Sequence, residues 1–110
     1  MELGCNKKTI VYENRTFLVN FLNFENGMII SISETSLKIG PMLISISSGP
    51  VPSTSVIIPT KSEELFLKLL SEKISSSLRG ICLITGNFEK PLDNDATKQL
   101  MHQIMEEIKQ

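Results

Sequence analysis

Tryptophan is absent from the 110 residues, and tyrosine and histidine occur once each, as Tyr12 and His102. Five phenylalanines complete the aromatic set. A single-strand nucleic-acid binder needs exposed aromatics set in a basic patch. With 11 Lys and Arg against 12 Asp and Glu, and Phe17, Phe21, Phe24 and Phe66 spaced like core residues, no such surface is expected. Cysteine is scarce too. Cys5 and Cys82 lie far apart, so one histidine and two distant thiols cannot be read as a zinc ligand set. No metal and no cofactor is expected. No apolar run approaches the ~20 residues of a membrane helix, so no membrane partner is expected. The start Met1-Glu2-Leu3-Gly4-Cys5 lacks the basic and apolar regions of a secretory signal. The expected location is the cytoplasm, with the nucleus also open, and a disulfide is not expected there.

Catalytic signatures are missing as well. The chain has no GxxxxGK[ST], no GxGxxG after a strand, no HExxH and no GxSxG. Cys82 sits in the apolar run Gly80-Ile81-Cys82-Leu83-Ile84 and reads as a buried small hydrophobe. His102 lies one helical turn from Lys98 and from Glu106, on a polar face with no nucleophile beside it. The expectation is a protein that is not an enzyme.

Hydrophobic residues make up 41% of the chain and charged residues 21%, enough for one domain spanning residues 1–110 to build its own core. The first half alternates with period two. Thr9-Ile10-Val11-Tyr12 is β-rich, and Glu13-Asn14 can turn. Residues 17–24 place Phe17, Val19 and Phe21 on one face and Leu18, Leu22 and Phe24 on the other. Asn26-Gly27 predicts a two-residue type I′ hairpin turn, with Met28–Ser33 as the return strand. Gly40-Pro41 breaks the chain before Met42–Ser47, and Ser53–Ile58 reads as a short edge strand ending at Pro59.

The period then changes. Thr60-Lys61-Ser62-Glu63 fits a capping box, with Glu63 reaching back, and predicts a helix from Lys61 to Ser76. Leu65, Phe66, Leu69, Leu70 and Ile74 form its apolar stripe, with Leu67 off it. Ile81–Thr85 reads as a central strand covered on both faces. Asp93 or Asn94 caps a last helix whose apolar side is Leu100, Met101, Ile104, Met105 and Ile108. The fold class is therefore α+β: a mainly antiparallel sheet of about six strands with two helices packed on it, in the order strands, helix, strand, helix.

Ser31 and Ser33 in one strand, and Ser45 and Ser47 in another, alternate with isoleucine. If they share a face, it is a flat surface of small uncharged side chains that another sheet can meet at little desolvation cost. Ser53, Thr54 and Ser55 could add hydroxyl and backbone groups toward a partner.

The chain resembles the small proteasome assembly chaperones. The resemblance rests on Thr9–Phe21, Asn26–Ile32, the proline-led segment Val51-Pro52-Ser53-Thr54-Ser55-Val56-Ile57, Gly80–Asn87 and the last helix ending Glu106-Glu107-Ile108-Lys109. It implies a non-enzymatic scaffold that pairs with a related small chaperone, the third of that group. The pair would bind α-type subunits of the 20S proteasome, notably the fifth, and promote assembly of the α-ring. A homodimer is open where the partner is absent. Other assembly chaperones insert a hydrophobic-Tyr-any tail between α subunits. Ile108-Lys109-Gln110 has no tyrosine, so recognition is expected to use a folded surface. The alternative is a roadblock-like dimerisation module of trafficking or signalling, whose usual order begins with a helix rather than strands.

Overall fold

Alternating residues in the first half form three strands joined by tight turns: β1 (Cys5–Tyr12), β2 (Arg15–Phe24) and β3 (Gly27–Glu34). They are followed by β4 (Met42–Ile46), β5 (Ser53–Ile58), helix α1 (Glu64–Leu78), β6 (Ile81–Asn87) and helix α2 (Asn94–Ile108). The computed structural model describes residues 4–60 and 62–108. One six-stranded sheet has the order β1-β2-β3-β6-β4-β5. Every neighbouring pair is antiparallel except β3 and β6, which run parallel at the centre. Both helices lie on one side of this sheet. Between them and the strands sit Ile10, Phe17, Val19, Phe21, Ile30, Ile32, Leu43, Cys82 and Ile84, with Leu67, Leu70, Ile74, Leu100 and Ile104 from the helices.

The fold class is the expected α+β arrangement, and several local expectations need correction. The loop between β2 and β3 is Glu25-Asn26, because Phe24 pairs with Gly27 across it. Neither Asn26 nor Gly27 has positive φ, so the turn is not type I′. Gly27 is needed for a different reason: a Cβ there would lie 2.2 Å from the Ile81 carbonyl oxygen. It lets β3 and β6 meet at the start of their parallel ladder. The positive φ falls instead on Glu13, Thr35 and Arg79.

Helix α1 starts later than expected, at Glu64, and Lys61 lies outside the described residues. Thr60 Oγ1 does accept the Glu63 amide at 3.2 Å. The Glu63 carboxylate, however, does not reach back. It accepts the Leu92 amide at 3.0 Å and the Ser62 hydroxyl at 3.2 Å, tying the segment before α1 to the loop before α2. The buried face of α1 is Phe66, Leu67, Leu70, Ser71, Ile74 and Ser75, so Leu67 faces the core while Leu65 and Leu69 face water. Helix α2 follows expectation. Asp93 caps it by accepting the Ala96 amide at 2.7 Å. Leu100, Ile104 and Met105 are buried, with Met101 and Ile108 packed beside them.

The loop after β6 is clamped from two sides. Arg15 forks onto Glu34 at 2.7 and 2.8 Å. Glu34 also accepts the Glu89 amide at 2.9 Å, and Arg15 donates to the carbonyls of Lys90 and Pro91. Phe88 packs edge-on against Phe17 and Phe66 beneath this clasp.

A candidate partner surface on the helix-free sheet face

Both described helices pack on one side of the sheet, so neither covers the other face of the six strands. Strand pairing fixes which residues line it. One row runs Phe24, Gly27, Ile81, Ile46 and Ser53 across the sheet. The next runs Cys5, Leu22, Ile29, Leu83, Ile44 and Ser55. A third runs Lys7, Asn20, Ser31, Thr85 and Met42. The first two rows are apolar from β2 to β4. Leu22, Phe24, Ile29 and Ile46 are exposed there, and Ile44, Ile81 and Leu83 are half-buried. Because Gly27 contributes no side chain, the patch dips into a hollow of about 190 Å³ lined by Phe24, Ile29, Ile44, Ile81 and Leu83. Among the described residues in these rows, Lys7 on the outermost strand is the single charged side chain. Contiguous exposed apolar surface without charge is what the desolvated centre of a protein interface requires.

The far end of the face is roofed by the segment 35–41. Ser33 Oγ bonds both the amide and the carbonyl of Lys38, at 3.3 and 3.1 Å. Thr85 Oγ1 does the same for Gly40, at 3.0 and 3.2 Å. Two hydroxyls thus hold the segment against the sheet while Leu37 and Ile39 point outward, 64% and 75% exposed. Fixing the backbone lowers the ordering cost of a contact made by those two side chains.

The serines do not form one face. Ser31 is half-buried on the open face, and Ser33 is buried there beneath the roof. Ser45 faces the helices, because β4 has the opposite phase: Leu43 and Ser45 point inward, Ile44 and Ile46 outward. Ser45 Oγ lies 2.8 Å from Thr54 Oγ1 and 2.7 Å from Ser71 Oγ, and Thr54 donates to Glu72 at 2.5 Å. Ser71 Oγ also donates to the Lys68 carbonyl at 3.1 Å, and this network of three hydroxyls and the Glu72 carboxylate locks α1 onto β4 and β5. Ser47 lies beyond the end of β4, where its amide donates to the Gly80 carbonyl. Ser53 and Ser55 are exposed on the open side of β5, and Thr54 is on the helix side. Of the seven expected positions, only Ser31, Ser53 and Ser55 are accessible on the open face.

Sequence reading missed the residues that dominate this surface: Leu22, Phe24, Ile29, Ile44, Ile46, Ile81 and Leu83. Phe24 had been assigned to the core and Ile81–Thr85 to a strand covered on both faces. A signal was nevertheless present. Strands apolar on both sides, combined with two helices that pack together on one side, leave an apolar face that neither helix covers.

Burial pushes the Cys82 thiol up to about 12, leaving it protonated. The Arg15 fork is the main cause holding the Glu34 carboxyl below its ordinary value, with the Glu89 amide adding to it. His102 is exposed beside Glu106, 3.4 Å away. No described cluster of three or more His, Cys, Asp or Glu is placed to hold a metal ion. No described helix is long and apolar enough to cross a membrane.

No protein-family model and no curated protein sequence matches the chain. Its fold is similar to that of a chain in the crystal structure of a novel chaperone complex for yeast 20S proteasome assembly. The TM-score is 0.74 over 98% of this chain and 97% of that one, at 12% identity. At that identity, the similarity is one of fold.

Proposed function

We propose that the protein is a non-enzymatic assembly chaperone that pairs with a related small chaperone, in the manner of the fourth member of that group with the third. The pair binds α-type subunits of the 20S proteasome, notably the fifth, and promotes α-ring assembly in the cytoplasm, with the nucleus also open. The observation that carries this reading is the fold similarity along nearly the whole of both chains to a component of a proteasome-assembly chaperone complex. The two uncharged rows of the helix-free face between β2 and β4 support the pairing step. They supply a desolvated centre, and Asn20, Ser31, Ser53 and Ser55 lie around them. A scaffold that must later let go is suited by about 800 Å² per partner with a polar rim.

Affinity purification of the tagged protein from its native cells, with mass spectrometry of bound proteins, tests the reading. The expected result is one small chaperone-like chain together with proteasome α subunits and no mature β subunits. Ile29→Lys, on the exposed apolar row, should remove the small partner while leaving the thermal midpoint nearly unchanged. Recovery of trafficking or signalling proteins, without any proteasome subunit, would overturn the proposal in favour of the roadblock-like alternative.

A further inference from the structure

The two edges of the sheet are built differently. β1 carries Lys7 and Lys8 in its middle, and lysines on an edge strand discourage further pairing. β5 has no such guard. Its six residues, Ser-Thr-Ser-Val-Ile-Ile, contain no charge and no proline, and Val56, Ile57 and Ile58 are 43%, 51% and 38% exposed. Its inner side pairs with β4, and no other described strand pairs with its outer side. Among the described residues, no amide or carbonyl of 53–58 makes a backbone bond outside the β4 ladder. An unprotected edge of this kind is a template for an added strand.

We propose that the outer edge of β5 accepts a short extended segment of a partner chain as a seventh strand. The size of the edge selects this occupant. Pro52 and Pro59 close it at both ends, and six residues span only about 20 Å. A strip of that length and about 10 Å wide offers roughly 200 Å², well short of the roughly 800 Å² per partner that holds two folded proteins together, so a second copy would not be retained by this edge alone. A short segment needs only the ladder and its side-chain neighbours. The faces of β5 set its pattern: Thr54 and Val56 lie on the helix side, Ser53 and Ser55 on the open side. An incoming strand that alternates apolar and small polar residues matches both. The ladder groups of this edge point along the plane of the sheet rather than out of its face, so the proposal stands whether or not the pairing reading above holds.

The test is an amide-shift titration of the isotope-labelled full-length protein with the capped peptide Lys-Thr-Val-Thr-Val-Thr-Lys. A second peptide of the same sequence carries N-methyl groups on alternate residues, which removes its ladder donors. The expected result is saturable shifts confined to Ser53–Ile58 and the adjoining β4, with binding weakened about tenfold or more by N-methylation. Val56→Lys, at an exposed position, should weaken binding to a similar degree without moving the thermal midpoint. Absence of saturable shifts, shifts centred on Leu22 and Ile29, or equal binding of the two peptides would each overturn the proposal. The two-peptide comparison decides the matter even if the variant folds poorly.

Discussion

Replacing Glu34 by glutamine should cost the protein about 3 kcal/mol of stability at neutral pH. The side chain is 4% exposed and its partner Arg15 11% exposed, so the pair is largely out of water. Removing one member of a buried pair generally costs about 3–5 kcal/mol, because the other charge remains buried. The lower end applies here, since Arg15 keeps the Lys90 and Pro91 carbonyls as acceptors at 2.8 and 3.1 Å. The glutamine oxygen can still accept the Glu89 amide, but its NH₂ would then face the guanidinium donors. For a domain near this size the loss corresponds to roughly 12 °C or more in thermal midpoint. The pH dependence supplies a second readout. Glu34 is held below its ordinary value of 4.5, so its contribution is complete above that value and disappears as pH falls through the lower folded value. Urea melts followed by circular dichroism at about pH 7 and about pH 3 should therefore show the gap between wild type and Glu34→Gln narrowing in acid. A gap of under about 0.5 kcal/mol at neutral pH, or one that does not change with pH, would refute the assignment of the clasp as a stabilising buried pair.

Three further outcomes are expected. Ser45→Ala removes the hydroxyl between Ser71 and Thr54, which keep the Lys68 carbonyl and the Glu72 carboxylate as acceptors, so it should lower stability by about 0.5–1.5 kcal/mol in chemical denaturation. Arg79 caps α1 at φ 54° and ψ 48°, a left-handed conformation that glycine adopts without strain; Arg79→Gly should raise the thermal midpoint by a few degrees, reflecting about 0.5–1 kcal/mol. Brief treatment of the native protein with iodoacetamide at mildly alkaline pH should label exposed Cys5 and spare Cys82, giving one adduct per chain by intact mass, with the second appearing on denaturation.

The order of strands and helices was legible because each announces itself by period: two in the first half, 3.6 after Thr60. The phase of a pattern was less legible than its period. Ile44-Ser45-Ile46 alternates clearly, yet which residue type points inward depends on where α1 and β6 lie, and Ser71 of α1 offers Ser45 a buried partner. In α1, Leu65, Phe66, Leu67, Leu69 and Leu70 permit more than one apolar stripe, and tertiary packing selected the one containing Leu67. Asn26-Gly27 resembled a turn signal, but the glycine is required by the Ile81 carbonyl, a contact 54 residues further along the chain. The apolar sheet face was hidden for the same reason: its rows combine residues from β2, β3, β6 and β4, and no local window contains them together.

β6 is the last strand to be synthesised, yet it occupies the middle of the sheet between β3 and β4. Until Asn87 has emerged, the nascent chain holds two separate fragments: the meander of β1 to β3, and the β4–β5 hairpin. Each has an unpaired, isoleucine-rich edge facing the place where β6 will lie. At about 5–20 residues per second, the 29 residues from Ile58 to Asn87 take about 1.5–6 s to add. During that interval neither fragment can bury its apolar side, and non-local pairing is slow to form even when all its strands are present. On the ribosome, the chain therefore passes through a stage in which its own halves are unassembled and prone to aggregate. Any truncation that ends before residue 81 makes that stage permanent.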